Sequence, residues 1–291
     1  MKYNNIIQDY EEYLIAEKGY SDTTKNEYTN DIIRFFKFNN DQHIEEIEKR
    51  DISKFLNHLI MENNISSSTR NRKLFALRSF FQYLKKYNYI EDDPTIDIES
   101  MKTTKNKEPI YMKKRQIKAF LDAIERDNGC NNIRNNAIIK LFLYTGLRLS
   151  ELASLNKDDI DFANRQIKIN GKGNKERIIP LHLKATKAIH QYLNNRDDDI
   201  PALFISTRKN RISKRQIQRL VRKYAMKTQI KNKEKITAHK LRHTFASLVY
   251  KNNKDLKVLQ DLLGHENIST TQIYTHTDKT EKKKNINSLD F

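Results

Sequence analysis

The segments A-H-K-L-R-H-T-F-A at 238–246 and L-L-G-H-E-N-I-S-T-T-Q-I-Y-T-H at 262–276 decide how this chain is interpreted. Apolar residues recur in them at intervals of three and four, a spacing that predicts amphipathic helices, and Gly264 is typical of a helix end. Polar side chains that suit phosphodiester chemistry lie between the apolar ones: His239, Arg242, His265 and Tyr274. These groups could bind and attack a phosphodiester without a metal ion.

The chain as a whole is predicted to be mainly α with a small β-sheet. Only 6 glycines and 4 prolines interrupt its 291 residues, and three-and-four apolar spacing is frequent. Two short runs, Gln166–Asn170 and Glu176–Pro180, instead predict strands joined by G-K-G-N-K, and Leu203–Ser206 predicts a further short strand.

A chain of this length can bury two separate cores, so we expect two domains. The first is predicted at 1–95 as a four-helix domain, with Ser21 or Asp22 capping the second helix and Asp51 capping the third. Turn-forming residues and scattered charge then predict a linker at 96–112. The remaining residues, 113–291, are predicted to form an α+β domain.

The charge is strongly basic and unevenly distributed. The net charge is +18, yet residues 1–95 contain 14 basic and 16 acidic side chains, against 41 and 21 in residues 96–291. Such an excess favours a polyanionic partner, in particular nucleic acid, although a solvated lysine-rich surface would give the same composition.

The helix predicted from Ser67 to Tyr87 is the basic element of the otherwise acidic first domain. It has no acidic residue, and a helix of this kind fits the major groove of duplex DNA. A solvated helix face is the alternative. The basic residues expected to contact DNA are Arg70, Arg72, Lys73 and Arg78.

Several classes of protein are disfavoured. Cys130 is the single cysteine, so an intramolecular disulfide is excluded and a reducing, cytoplasmic setting is expected. The apolar run from Ala137 to Leu147 is too short to span a bilayer, and the N-terminus lacks the apolar core of a signal peptide. We expect no membrane association and no cofactor.

Arg148, in T-G-L-R-L-S-E-L, and Arg242 are candidates to bind a phosphate, because guanidinium groups stabilise its developing charge bidentately. His239 is a candidate for proton transfer, because imidazole titrates near neutrality. With His243 it also has the spacing of helical zinc ligands, but Lys240 occupies the position where a zinc hydrolase needs its glutamate. A hydrogen-bonded structural role for His243 is the other interpretation.

Tyr274 is the candidate nucleophile, although a phenol needs help to attack because its pKa is near 10. His265, beyond the Gly264 turn, could supply that help by hydrogen bonding. Lys172, between two glycines at the predicted hairpin tip, could protonate the departing sugar oxygen. Lys175 and Arg177 on the same hairpin compete for this role and are otherwise expected to contact DNA.

Four motifs together resemble the tyrosine recombinase (phage integrase) family, and most of all its Xer-type members. They are T-G-L-R-L-S-E-L at 145–152, G-K-G-N-K-E-R at 171–177, H-K-L-R-H-T-F-A at 239–246 and the segment at 262–276. The resemblance implies a core-binding, SAM-like N-terminal domain and a catalytic domain that enclose duplex DNA. It further implies Tyr274 as the nucleophile of a 3′-phosphotyrosyl intermediate, Arg148 and Arg242 as the phosphate clamp, Lys172 as the acid, His239 and His265 as proton-handling and phosphate-contacting groups, and Glu151 as a support.

The resemblance also implies the partners. We expect a homotetramer, or a heterotetramer with a related recombinase, on two DNA sites, with an accessory DNA translocase and no metal. Exchange of the short C-terminal tail between subunits is left open. The alternatives are an integrase of a mobile element, a topoisomerase of type IB and a non-catalytic DNA-binding protein on the same scaffold.

Overall fold

The computed structural model describes residues 2–103, 111–170, 176–253 and 255–264. They are mostly helical, with one small antiparallel sheet, which confirms the predicted fold class. The chain divides into two compact units, Met1–Asn106 and Lys107–Phe291.

The change from one unit to the other falls within the linker predicted at 96–112. The outer bounds of the two domains, 1–95 and 113–291, stay a prediction.

The described residues of the first unit form four α-helices whose apolar faces meet in one core. Its largest fully buried side chains are aromatic, and rings such as those of Phe35, Phe80 and Phe81 pack edge to face. The helices are α1 (Ile7–Ala16), α2 (Asp22–Phe38), α3 (Lys49–Met61) and α4 (Ser67–Lys86).

Side-chain caps fix where the helices of this unit begin. The Ser21 hydroxyl accepts a hydrogen bond from the Thr24 N–H at 3.3 Å and so caps α2. The prediction that Asp51 is the cap of α3 was wrong, because Glu48 is the N-cap residue. Asp51 lies in the first turn, and its carboxylate accepts the Glu48 N–H at 3.1 Å, as the third residue of a capping box does.

The second unit packs helices around a three-stranded sheet. The strands run in the order β1 (Ile160–Asp161), β2 (Gln166–Asn170) and β3 (Glu176–Pro180), all antiparallel. The helices are α5 (Lys114–Glu125), α6 (Asn132–Thr145), α7 (Leu149–Ser154), α8 (Leu183–Asn194), α9 (Lys214–Met226), α10 (Ala238–Asn253) and α11 (Leu256–Leu263).

The strand predicted at Leu203–Ser206 was wrong. Only isolated bridges occur there, between Asn156 and Ala202 and between Ile205 and Arg211. Leu203 and Phe204 are nonetheless buried in the core, so the apolar run reflects a buried loop with isolated bridges rather than a regular strand.

Helix α6 lies at the centre of the second unit and ends at Gly146. The helix packs against α8 and α10, and residues on all sides of it are buried. Gly146 adopts a left-handed conformation, with φ of 63°, and its N–H donates to the Phe142 carbonyl at 3.0 Å. A Cβ atom on Gly146 would lie 2.2 Å from Cδ1 of Phe245 on α10, so only glycine allows α10 to approach this closely.

We expect the Gly146→Ala substitution to lower the free energy of unfolding by about 2–4 kcal/mol, because a strained backbone adds to steric overlap with Phe245. Urea titration of the full chain measures this change. Gly129→Ala is the matched control, since the nearest atom to its Cβ would be Oδ2 of Asp127 at 3.8 Å. Equal stability losses in the two variants would contradict the steric argument.

Candidate active site

Arg148 is the first of two guanidinium groups that the fold brings together. It is the N-cap residue of α7, directly after the Gly146 turn and the fully buried Leu147. Its Nη1 donates to Oε1 of Glu151 at 2.8 Å, and its Nη2 donates to the Gly264 carbonyl at 2.7 Å. The Arg148 side chain remains 41% exposed, so the guanidinium is oriented but still accessible to a ligand.

Arg242, on α10, is held in the same way but is buried. Its Nη1 donates to the Gly146 carbonyl at 2.7 Å, and its Nη2 donates to the Leu263 carbonyl at 2.8 Å. The two guanidiniums therefore bind consecutive carbonyls, Leu263 and Gly264, at the C-terminal end of α11. The carbonyls of a helix end carry partial negative charge, which favours cations there.

His239 lies on the first turn of α10, one turn before Arg242. Desolvation of the imidazole, and then the positive charges of Arg242 and Lys240, hold its pKa below the usual value. The neutral imidazole is therefore favoured at pH 7, which suits a group that accepts a proton. The His239 and His243 rings are 4.5 Å apart and perpendicular. Among the described residues, no group of three His, Cys, Asp or Glu side chains could hold a metal ion.

One cavity of about 770 Å³ contains Arg148, His239 and Arg242 in its walls. Helix α9 supplies a further wall that the sequence interpretation missed, formed by Lys214, Gln218 and Arg222. These three side chains are exposed and spaced by four, so they share one helix face. The sequence did contain a signal for this wall, because two cationic side chains lie on the helix face opposite the apolar one. The cavity also has Glu234 and apolar residues in its walls, but the arginines, Lys214 and Gln218 give it the donors and positive charge that suit a phosphate backbone.

Glu151 connects Arg148 to the sheet. Its side chain is 7% exposed and accepts the Arg148 backbone N–H at 2.6 Å as well as the Arg148 guanidinium. Burial alone would raise the pKa of the Glu151 carboxyl. The hydrogen bonds from Arg177 and Arg148 outweigh burial, and the net effect is a lowered pKa. The carboxylate is therefore charged, and its supporting role stays a prediction.

Arg177 does not occupy the exposed position that the predicted DNA contact requires. Its side chain is 14% exposed, and its two Nη atoms donate to the two Glu151 oxygens at 3.0 and 2.9 Å. Strand alternation explains the inward direction, because Arg177 is two residues before the buried Ile179 and pairs with the buried Ile169.

The basic helix α4 also differs from the expectation. Arg70 and Lys73 are buried, and they bind the Glu99 carbonyl and the buried Asp31 carboxylate respectively. They contribute to the first unit and are not placed for DNA contact. Arg72 is 40% exposed while pairing with Asp31 at 2.8 Å, and Arg78 is partly exposed, so these two remain the proposed DNA contacts of α4.

Four predicted site residues lie outside the described residues: Lys172, Lys175, His265 and Tyr274. Their roles stay predictions. No described helix is long and apolar enough to cross a membrane.

Comparison with known proteins is consistent with this site. Residues 111–281 match the phage integrase family, and residues 7–88 match the phage integrase N-terminal SAM-like domain. The chain is 39% identical to tyrosine recombinase XerC of Thermodesulfovibrio yellowstonii, over 94% of this chain and 91% of that protein. It is 32% identical to tyrosine recombinase XerD of Staphylococcus epidermidis, over 97% of each.

A solved structure shares the fold. It is the XerH site-specific recombinase bound to its difH substrate in a pre-cleavage complex. The TM-score is 0.73 at 24% sequence identity, and the match covers 92% of this chain and 79% of the other.

Proposed function

We propose, since the chain belongs to the phage integrase family and is a site-specific tyrosine recombinase of the Xer type, that the cavity around Arg148 and Arg242 is where it cleaves and rejoins DNA. The observation that carries this assignment is that two guanidiniums are held on consecutive carbonyls of α11, in one cavity with His239. Such a pair fits the non-bridging oxygens of one phosphodiester. Family membership favours catalysis over the non-catalytic alternative.

In the proposed cleavage step, the phenol oxygen of Tyr274 attacks phosphorus and the bond to the 5′ oxygen breaks. His239 accepts the phenol proton, and Lys172 donates a proton to the departing 5′ oxygen. Arg148, Arg242 and His265 bind the non-bridging oxygens, whose negative charge grows in the transition state. The products are a 3′-phosphotyrosyl bond and a 5′-hydroxyl.

Rejoining is the reverse of cleavage. A 5′-hydroxyl from the second duplex attacks the phosphotyrosyl bond and releases the phenol, so the phosphoryl bond is conserved and no nucleotide is hydrolysed. Exchange requires two duplexes, which supports a homotetramer, or a heterotetramer with a related recombinase, on two sites.

The biological role that we propose is resolution of chromosome or plasmid dimers in the cytoplasm, with an accessory DNA translocase. The similarity to XerC and XerD over nearly the whole chain supports this role. Integration of a mobile element uses the same chemistry and is the second candidate.

A nicked suicide duplex tests the proposal, because loss of the short strand after cleavage traps the covalent intermediate. We expect the adduct to map by peptide mass spectrometry to Tyr274 and to carry the 3′ phosphate. Recombination should require two cognate sites, whereas relaxation of a plasmid without such a site would support the topoisomerase alternative. An adduct on another residue would refute the assigned nucleophile.

We expect the cleavage rate to decrease as the pH is lowered, with a midpoint below pH 6.5. Desolvation and neighbouring positive charge hold the pKa of His239 below that value. Protonation removes the proton acceptor, so the rate is full above this midpoint and lost below it. Single-turnover cleavage across pH measures the midpoint.

Lys240→Gln is the informative partner variant for this titration, because it removes one of the charges that lower the pKa of His239. It should move the midpoint toward 6.5. A wild-type midpoint above 6.5 would contradict the assignment.

A further inference from the structure

Arg177 contacts both groups that hold the guanidinium of Arg148. It binds the Glu151 carboxylate with two hydrogen bonds, and it packs so closely on Gly264 that a Cβ there would lie 2.8 Å from the Arg177 Nη1. The Arg148 side chain donates to the same two residues. Arg177, on the inner face of β3, therefore contacts the two residues that bind the Arg148 guanidinium.

The charges in this cluster depend on Arg177. Glu151 and Arg148 alone would form a neutral pair in which the buried carboxylate attracts the guanidinium. With Arg177 the group becomes Arg–Glu–Arg and carries one net positive charge. Like the Arg148 hydrogen bonds, those from Arg177 act to lower the pKa of Glu151, so the carboxylate is charged and both arginines compete for it.

The Arg177 side chain is committed to this arrangement. It is 14% exposed, and among the described residues its buried Nε has no hydrogen-bond partner. Burial of an unsatisfied donor is unfavourable, so other contacts must hold Arg177 in this position. These are its bidentate bond to Glu151 and its close contact with Gly264.

We propose that Arg177 is a positioning residue for strand cleavage: it neutralises and orients Glu151, so that Arg148 presents its guanidinium and its charge to the scissile phosphate. This inference depends on the proposed function of Arg148. The removal of Arg177 should let Arg148 turn toward Glu151 and away from the phosphate, which slows cleavage more than it weakens DNA binding.

The test is single-turnover cleavage of the suicide duplex at saturating enzyme, with DNA affinity measured in parallel. We expect Arg177→Ala to cleave about 10- to 100-fold more slowly, as is common when a partner that orients a reactive group is lost, while the dissociation constant changes by about threefold or less. Arg177→Lys should recover part of the rate, because it restores the charge but not the bidentate geometry.

Two further readouts separate positioning from a general loss of structure. In an Arg177→Ala, Glu151→Gln double variant, the defect should be no larger than that of Arg177→Ala alone, because Glu151→Gln removes the negative charge that would draw Arg148 away from the phosphate. On a duplex with a methylphosphonate at the scissile position, which lacks the charge that Arg148 neutralises, the Arg177→Ala defect should shrink to about threefold or less.

Arg196→Lys is the matched control. Arg196 also binds a carboxylate bidentately, that of Asp198, in the same unit but outside the cavity. It should leave the cleavage rate of folded enzyme unchanged. Equal Arg177→Ala defects on both substrates, additivity with Glu151→Gln, or an unimpaired Arg177→Ala would each overturn the inference.

Arg148→Ala tests the underlying function separately. The substitution should slow cleavage of the ordinary duplex, and it should reduce the cleavage rate of the methylphosphonate duplex much less. If Arg148→Ala cleaves at the wild-type rate, both the proposed phosphate clamp and the positioning role of Arg177 are refuted. If it behaves as expected while Arg177→Ala does not, only the positioning role falls.

Discussion

Tyr274→Phe should abolish covalent adduct formation while DNA is still bound. The substitution removes only the phenol oxygen, so the attacking atom is lost and the aromatic ring is kept. The groups that line the cavity, among them Arg148 and Arg242, are unchanged, so we expect the phosphate to be bound. The measurement is denaturing electrophoresis of the suicide-duplex reaction together with a DNA-binding titration.

Tyr250→Phe is the matched control for this experiment. Tyr250 is on α10 and packs against the small apolar cluster between α10 and α11, so its ring serves packing. The control should form the adduct at the wild-type rate. An adduct that persists in Tyr274→Phe would remove Tyr274 from the mechanism.

Arg242→Ala should reduce the rate of cleavage by about 10²–10³-fold, the usual cost of losing one preorganised donor to transition-state charge. The same change should lower the free energy of unfolding by about 1–3 kcal/mol, because the buried carbonyls of Gly146 and Leu263 lose a hydrogen-bond donor. Single-turnover kinetics and urea titration measure the two effects separately.

Arg242→Lys separates charge from geometry. Lysine keeps the positive charge, but its single ammonium cannot reproduce the two directed bonds from Nη1 and Nη2. We expect it to cleave faster than Arg242→Ala and more slowly than the wild type. A folded Arg242→Ala protein that cleaves within about threefold of the wild-type rate would contradict the assigned role.

Local signals in the sequence were sufficient for most elements. The strands at Gln166–Asn170 and Glu176–Pro180 were predicted with the bounds that the structure has, because short isoleucine-containing runs and the glycine-containing segment between them are local signals. Local signals also placed the start of α2 at Ser21 or Asp22, and the structure selects Ser21 as the cap. The run at Leu203–Ser206 could not be interpreted correctly from its own residues. Whether a short apolar segment forms a strand or is buried as a loop depends on residues that are distant in the sequence.

The side-chain partners could not be read from the sequence. Lys73 and Arg70 belong to a basic run, and only the fold reveals that Asp31 and the Glu99 carbonyl meet them in the interior. Arg177 is the instructive case, because β3 has an isoleucine on each face, Ile178 and Ile179, and only the structure reveals that Arg177 shares the buried face of Ile179. Its partner Glu151, 26 residues away, required the fold.

The two guanidiniums of the proposed phosphate clamp, those of Arg148 and Arg242, share an anchor in the main-chain oxygens of Gly264 and Leu263. Substitution cannot delete a carbonyl, so the outward positions of α11, such as Lys257 and Asp261, are free of this constraint. Gly264, which follows α11, is constrained, because its φ is 61° and a Cβ there would lie 2.8 Å from Nη1 of Arg177. Over evolutionary time the outer face of this helix can therefore diverge among descendants while its catalytic geometry is inherited intact.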